Sequence, residues 1–151
     1  MKFEGKLSER REQSEPVETI GHLFLLHAQD PRNIKEVETA NGIAVGIGTC
    51  GDTLTVQIRV ENGVIEEIGC IPRGCLYTVV CASLISELAG GRSLEEALMI
   101  QPEHIDKLLG GLPADHQHCA RLAVNSLGEA IDDYYQRNGF PDETRAPSSD
   151  A

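Results

Sequence analysis

A thiol and a carboxylate lie two residues apart in the segment Thr49-Cys50-Gly51-Asp52-Thr53. Alternating apolar runs flank this segment at 43–48 and 54–60, and a Gly between two such runs is typical of a β-hairpin. Cys50 and Asp52 are therefore predicted to lie together at a hairpin tip. Both side chains can bind a metal ion, the thiolate as a soft ligand and the carboxylate as a weaker ligand. The alternative is a turn in which the Cys has no chemical role.

Two further Cys residues lie at predicted helix starts, Cys75 at the start of one helix and Cys119 in the first turn of the last. Helix N-termini favour thiolates, so low thiol pKa values are expected for both. His118 adds an imidazole, and no CxxC pair of a zinc-finger knuckle is present. If both helices begin at the same end of the sheet, one metal site gathers Cys50, Asp52, Cys75, His118 and Cys119. Spacing alone leaves open whether they converge.

The predicted elements form an α+β domain. The strands around Cys50 and a third strand at 64–70, joined by the turn Glu61-Asn62-Gly63, give a three-stranded antiparallel sheet. One short helix precedes the sheet, and everything after it is helical, so the helices are expected to pack on one face. The metal site would then lie at one end of the sheet. The predicted helices span 17–28, 75–89, 93–99, 102–109 and 115–136.

The length of 151 residues indicates one domain. Residues 1–16 are charged and are predicted to form a flexible N-terminal arm. Residues 17–138 are expected to form the domain itself. The Pro- and Ser-containing segment 139–151 is predicted to be a disordered tail.

Composition excludes several classes of partner. The net charge of −11 argues against nucleic acid and against anionic membrane surfaces as partners. Five Cys residues, an odd number, without an apolar N-terminal segment favour a reducing cytosol over a secreted disulfide framework. No apolar run is long enough to span a bilayer. A cytoplasmic protein is therefore expected.

Short motifs in a fixed order cover residues 22 to 135. They are His-Ala-Gln-Asp-Pro-Arg-Asn at 27–33, Ala-Asn-Gly at 40–42, Cys-Gly-Asp at 50–52, Gly-Cys at 74–75, Ala-Ser at 82–83, Glu-Leu at 87–88, Gly-Arg-Ser-Leu-Glu-Glu-Ala at 91–97, Gly-Leu-Pro at 111–113, His-Cys-Ala at 118–120 and Ala-Ile-Asp-Asp-Tyr at 130–134. In these motifs and their spacing the chain resembles the iron–sulfur cluster assembly scaffold family, of the NifU N-terminal or IscU type.

The resemblance implies a carrier without turnover of its own. Such a scaffold accepts persulfide sulfur from a cysteine desulfurase, builds a labile [2Fe–2S] cluster with iron, and passes it to apo iron–sulfur proteins. By position, Cys50, Cys75 and Cys119 would be the thiolate ligands, and Asp52 or His118 would complete the site. The resemblance also makes Cys119 the sulfur-accepting thiol, and the same groups would hold zinc.

Two other functions fit the same residues. The first is a zinc-bound sulfurtransferase partner that relays persulfide sulfur through Cys119 and never holds a cluster. That branch of the family carries an insertion between its second and third Cys, for which this chain has no room between Cys75 and Cys119. The second is a diverged paralogue with a structural zinc, against which the retention of all candidate ligands argues.

The chain departs from the family at several positions. The segment 112–116, Leu-Pro-Ala-Asp-His, lacks most of the recognition sequence of the dedicated Hsp70 chaperone, so that partnership is not expected. His116 takes the Lys position of that sequence, and it is expected to be solvated, with an extra proton carrier or metal ligand as the alternative. Cys70 and Cys81 are additions that are expected to be small buried apolar side chains. His22 and His27 are expected to be solvated or packed rather than metal ligands.

Overall fold

The computed structural model describes residues 21–140. The order of elements is α1 (His22–Gln29), β1 (Gly42–Ile47), β2 (Thr53–Glu61), β3 (Val64–Arg73), α2 (Leu76–Ala89), α3 (Leu94–Leu98), α4 (Pro102–Leu108), a 3-10 turn (Ala114–His116) and α5 (Gln117–Asn138). The predicted fold class, a three-stranded antiparallel sheet with helices, is confirmed. The predicted N-terminal arm lies outside the described residues, as do positions 17–20 of the first predicted helix and residues 141–151.

The sheet brings the β1–β2 hairpin and the end of β3 to the same edge. Thr53 pairs with Ile47 on one side and with Arg73 on the other. The hairpin closes through a hydrogen bond from the Gly48 N–H to the Asp52 carbonyl, 2.7 Å long. Gly51 has a φ of +92°, which a residue with a side chain rarely adopts. Residue 50, in the hairpin, and residue 75, just after β3, therefore lie at one end of the sheet.

The helices pack on one face of this sheet. Along β2, every second side chain is buried, and these are Leu54, Val56, Ile58 and Val60. Helix α2 lies against β3, whereas α5 lies against β1 and β2. Strand β1 approaches α5 closely because Gly46 has no side chain, and a Cβ there would overlap the Ser126 hydroxyl. This close approach sets the position at which α5 begins, beside the hairpin.

Two predicted boundaries were wrong. Strand β3 continues through Pro72 to Arg73, because β3 is an edge strand where a Pro without an N–H is tolerated. Asp115, the predicted N-cap of the last helix, instead lies in the exposed 3-10 turn. Asp106 anchors this connection, because its carboxylate accepts hydrogen bonds from the Leu112 N–H at 2.6 Å and from Gln117 Nε2 at 3.0 Å.

The last helix extends two residues beyond its predicted end at Gln136. Helix α5 ends at Asn138, and Gly139 follows it with a φ of +88°. The Phe140 ring then packs against Tyr135, with ring centroids 5.4 Å apart. None of the helices within residues 21–140 has the length and apolar character that crossing a bilayer requires.

The buried hydroxyl of Ser126 offers a test of the α5–β1 packing. Ser126 is fully buried, and its Oγ has no hydrogen-bond partner. Ser126→Ala is therefore expected to raise the free energy of unfolding by about 1 kcal/mol, because a desolvated, unpaired hydroxyl is removed. Chemical denaturation measures the change.

The matched control is Ser86, which is equally buried but hydrogen-bonded. Its hydroxyl donates to the Ser83 carbonyl at 2.7 Å and accepts from Asn33 Nδ2 at 3.0 Å. Ser86→Ala is expected to lower stability, also by about 1 kcal/mol. A loss of stability in Ser126→Ala would contradict the expected gain.

Candidate metal centre

The structure brings all five sequence-predicted site residues to one end of the sheet. They fall into two groups of potential metal ligands, and within each group the ligand atoms lie within 4.8 Å of one another. The outer group takes Cys50 and Asp52 from the hairpin and His118 from the first turn of α5. The inner group takes Cys75 from the start of α2 and Cys119 from α5, and adds His116 from the 3-10 turn. The convergence that spacing left open is thus present in the fold.

Contacts between the groups make them one continuous cluster. His118 Nε2 lies 3.0 Å from Cys50 Sγ in its own group and 3.7 Å from Cys119 Sγ in the other. Cys75 Sγ lies 3.7 Å from Asp52 Oδ2. Exposure falls from the hairpin inward, since Cys50 is exposed, Cys75 is half-buried and Cys119 is buried.

Asp52 is held in place by neighbours from α2 and by close packing. The Thr78 hydroxyl donates a hydrogen bond of 2.5 Å to Asp52 Oδ2, and the Cys75 backbone N–H lies 3.5 Å from the same oxygen. The Thr78 hydrogen bond is the main cause that lowers the pKa of the Asp52 carboxyl, so the group is ionised at neutral pH. The carboxyl lies against the Cα of Gly74, where a Cβ would overlap it.

Thr78 is a site residue that the sequence reasoning missed. It is buried and its Oγ1 lies 3.7 Å from Cys75 Sγ and 3.5 Å from Cys119 Sγ, in addition to its bond to Asp52. One hydroxyl therefore touches both thiols of the inner group and the carboxylate of the outer group. The sequence does contain an indication of this contact. Thr78 lies three residues after Cys75, and side chains at that spacing lie on the same face of a helix.

The predicted low pKa of Cys119 was wrong. The residue lies in the first turn of α5 as predicted, but its side chain is 1% exposed. Burial raises the pKa of the Cys119 thiol to about 11, and the Thr78 hydrogen bond only partly offsets this. Desolvation outweighs the helix terminus here, so a metal ion that binds Cys119 must displace its proton.

His116 is half-buried and packed against another ring, whereas the sequence-based expectation was a solvated side chain. Its ring stacks on Tyr77 with centroids 3.9 Å apart and planes inclined by 16°. Its Nδ1 lies 3.9 Å from Cys75 Sγ. The stacking on Tyr77, from another helix, was not visible in the sequence.

Neither group includes Cys70, Cys81, His22 or His27. Cys70 and Cys81 are fully buried, which confirms their predicted role as small apolar side chains. Burial raises the pKa of Cys70 to about 12 and raises that of Cys81 as well. His27 is packed in the core beside Ser83, whereas His22 is exposed.

Known proteins are similar to this chain over most of its length. A protein from Archaeoglobus fulgidus named "Iron-sulfur cluster assembly scaffold protein IscU 1" is 39% identical over 120 residues, which cover 79% of this chain and 78% of that protein. A protein from Aquifex aeolicus named "Iron-sulfur cluster assembly scaffold protein IscU" is 34% identical, over 78% of this chain and 76% of the relative.

The fold and the family model agree with these relatives. The crystal structure of a nitrogen-fixing NifU-like protein (N-terminal) from Brucella abortus superposes with a TM-score of 0.60 at 16% identity, covering 80% of this chain and 98% of that one. The model of the NifU-like N terminal domain family matches residues 22–140. The chain therefore belongs to the NifU-like N-terminal domain family, as its sequence motifs predicted.

Proposed function

We propose that the protein is a scaffold for the assembly of a labile [2Fe–2S] cluster, which it passes to apo-proteins without catalytic turnover of its own. The observation that carries the proposal is the convergence of three thiols, a carboxylate and an imidazole at one end of the sheet. Relatives named as iron–sulfur cluster assembly scaffolds, at 34% and 39% identity, support it.

The donor set fits such a cargo. Thiolates are the usual protein ligands of iron–sulfur clusters, and Cys50, Cys75 and Cys119 supply them. Asp52 or His118 completes the set, and either binds iron more weakly than a thiolate. Because Cys50 is exposed and Cys119 is buried, iron enters and the cluster leaves at the hairpin side.

The sulfur comes from a cysteine desulfurase, with Cys119 as the acceptor thiol. Since Cys119 is buried, its attack on a donor persulfide requires a movement that exposes it. Apo iron–sulfur proteins are the recipients. Neither nucleic acid nor a membrane is a proposed partner, and the Hsp70 chaperone is left out because its recognition sequence is incomplete at 112–116. All five thiols are free, which agrees with a reducing cytosol as the proposed location.

Anaerobic reconstitution tests the proposal. The protein is incubated with ferrous iron, cysteine, a desulfurase and excess dithiothreitol, which reduces the persulfide sulfur to sulfide, and iron, acid-labile sulfide and visible absorption are measured. We expect near-equal iron and sulfide in the wild type and neither in Cys50→Ser. The control is Cys70→Ala, which removes a buried thiol outside the site and is expected to keep the cluster. A Cys50→Ser protein that accumulates the same cluster would overturn the proposed ligand set.

The second candidate is a zinc-bound sulfurtransferase partner of the desulfurase. The inner group favours it, because two thiols and an imidazole are ligands that suit zinc. In that case zinc stays bound during the reconstitution, no sulfide accumulates, and mass spectrometry finds a persulfide on Cys119. A visible charge-transfer spectrum with stoichiometric sulfide excludes this candidate.

Asp52 is proposed to make the cluster easy to release. We expect Asp52→Ala to lengthen the lifetime of the reconstituted cluster severalfold, because His118 lies in the same ligand group and can occupy the vacated position. Transfer to an apo-ferredoxin, followed by circular dichroism, measures the lifetime. The matched control is Asp115→Ala, which changes an exposed carboxylate in the 3-10 turn. A shorter lifetime in Asp52→Ala would show that the carboxylate stabilises the cluster instead.

A further inference from the structure

We infer that the cluster-free protein binds two thiophilic divalent cations side by side, and that His116 completes the inner of the two sites. The inference rests on the proposed metal-binding role of this end of the sheet and goes beyond it. His116 lies outside the ligand set that the family resemblance implies, and a second site changes how many ions the protein holds before sulfide arrives.

The inner site consists of Cys75, His116 and Cys119. Any two of their ligand atoms lie within 4.8 Å of each other, and the Nδ1 of His116 is 3.9 Å from Cys75 Sγ. Stacking on Tyr77 limits the rotation of the His116 ring and keeps it beside the thiols. Two sulfurs and one nitrogen form a soft set, suited to Zn²⁺, Co²⁺ or Fe²⁺ rather than to Mg²⁺ or Ca²⁺.

The outer site consists of Cys50, Asp52 and His118, again with ligand atoms within 4.8 Å of one another. It shares no residue with the inner site. Thr78 lies between the two, since its hydroxyl donates to Asp52 and lies 3.5 Å from Cys119 Sγ. The two sets are therefore adjacent and separately complete, each with three protein ligands and one open position.

Charge balance favours two ions over one. When deprotonated, the inner set carries two thiolate charges and a neutral imidazole, and the outer set carries one thiolate, one carboxylate and a neutral imidazole. Each set thus neutralises one divalent cation. A single tetrahedral ion would use four ligands and leave two of the six without a metal.

Cobalt titration under anaerobic conditions tests the inference. Co²⁺ reports thiolate ligation through charge-transfer absorption and four-coordination through its d–d bands. We expect two equivalents in the wild type and one equivalent in His116→Ala. His116→Phe keeps a ring to stack on Tyr77 but offers no ligand, so it too is expected to bind one equivalent while the fold is retained. His118→Ala removes a ligand of the outer site, so it is expected to bind one equivalent, at the inner site.

The matched control is His22→Ala, which removes an exposed imidazole on α1 and is expected to retain two equivalents. A wild type that binds one cobalt ion, or a His116→Phe protein that still binds two, would overturn the inference.

Iron–sulfide reconstitution of the same samples separates this inference from the scaffold proposal. A protein that binds two cobalt ions but never accumulates sulfide would contradict the scaffold and support the paired sites. A protein that assembles a cluster but binds one cobalt ion would contradict the paired sites and support the scaffold.

Discussion

Replacing Gly74 by Ala is expected to weaken cobalt binding at the outer site by about 10- to 100-fold, with the fold retained. Gly74 lies between β3 and α2, and its Cα packs against the carboxyl group of Asp52. A Cβ at this position would overlap the carboxyl, so the Asp52 side chain must rotate away. Rotation breaks its hydrogen bond with Thr78, which fixes the carboxylate beside the thiols.

Competition titration with a chromophoric chelator measures the cobalt affinity. The control is Gly128→Ala on α5, where an added Cβ meets nothing within 4 Å. That variant is expected to leave the affinity unchanged and to raise the free energy of unfolding by about 0.5–1 kcal/mol, because Ala is favoured over Gly inside a helix.

A double-mutant cycle shows whether the Ala methyl acts through Asp52. In an Asp52→Ala background there is no carboxyl to displace, so Gly74→Ala is expected to cause little further loss of affinity. Full additivity of the two losses would mean that the methyl group disturbs another part of the site, such as the start of α2 at Cys75.

The sheet and its order of strands were predictable because they follow local patterns. Alternation along β2 shows in the sequence which residues face the helices, and the turn residues Asn62 and Gly63 both adopt the positive φ that their types favour. The capping box of Ser93 and Glu96 likewise specified α3 correctly. Each of these signals depends on residues that are near one another in the chain.

The details of the site were less predictable because they depend on contacts between distant segments. Cys119 was placed correctly at a helix start, but its pKa is set by burial, which depends on how α5 packs on the sheet. The orientation of His116 depends on Tyr77, and Thr78 contacts Asp52 across the sheet edge. The identity of the residues was visible in the sequence, whereas their environment was not.

The environment of His27 leads to a second large effect, in the pH dependence of stability. His27 is 3% exposed, and its Nδ1 lies 2.6 Å from the hydroxyl of Ser83 on α2. The same hydroxyl accepts a hydrogen bond of 2.7 Å from the Arg32 backbone N–H. Glu87, whose Oε1 is 3.4 Å from His27 Nε2, also pairs with the Arg32 guanidinium at 2.9 Å. This network ties α1 and the following loop to α2.

A neutral imidazole fits the network best. With Ser83 Oγ accepting from Arg32, its own O–H can donate to His27 Nδ1, which leaves the proton of the ring on Nε2, toward Glu87. Burial lowers the pKa of His27 below 6.5, Glu87 raises it in part, and Arg32 lowers it. The folded protein therefore binds this proton less readily than the unfolded chain does.

The sign of the pH effect follows from linkage. A histidine whose pKa is lower in the folded state contributes stability that is fully present above pH 6.5 and is lost as the pH falls toward the folded pKa. The free energy of unfolding of the metal-free wild type is thus expected to fall on acidification below that pH, with a His27 contribution of about 1.4 kcal/mol for each unit of pKa difference.

Urea denaturation of the chelator-treated protein between about pH 7 and pH 5, a range that spans the unperturbed His pKa, measures this contribution. The difference between wild type and His27→Gln isolates it, because the other titrating groups are common to both proteins. His22→Gln, at an exposed position on α1, is expected to keep the full wild-type dependence. Identical pH profiles for wild type and His27→Gln would refute a buried neutral imidazole.

Ser83→Ala distinguishes loss of the hydrogen-bond network from loss of the titrating group. It leaves the Arg32 N–H and His27 Nδ1 without their shared partner, so stability is expected to fall by about 1–3 kcal/mol even at neutral pH, where His27 carries no charge. The acid-dependent loss is expected to persist in this variant, because His27 is still present and still buried between α1 and α2. A neutral imidazole that accepts the Ser83 hydrogen bond predicts both results together. Ser83→Ala lowers the free energy of unfolding at every pH, and His27→Gln removes the part of the stability loss that depends on acidification.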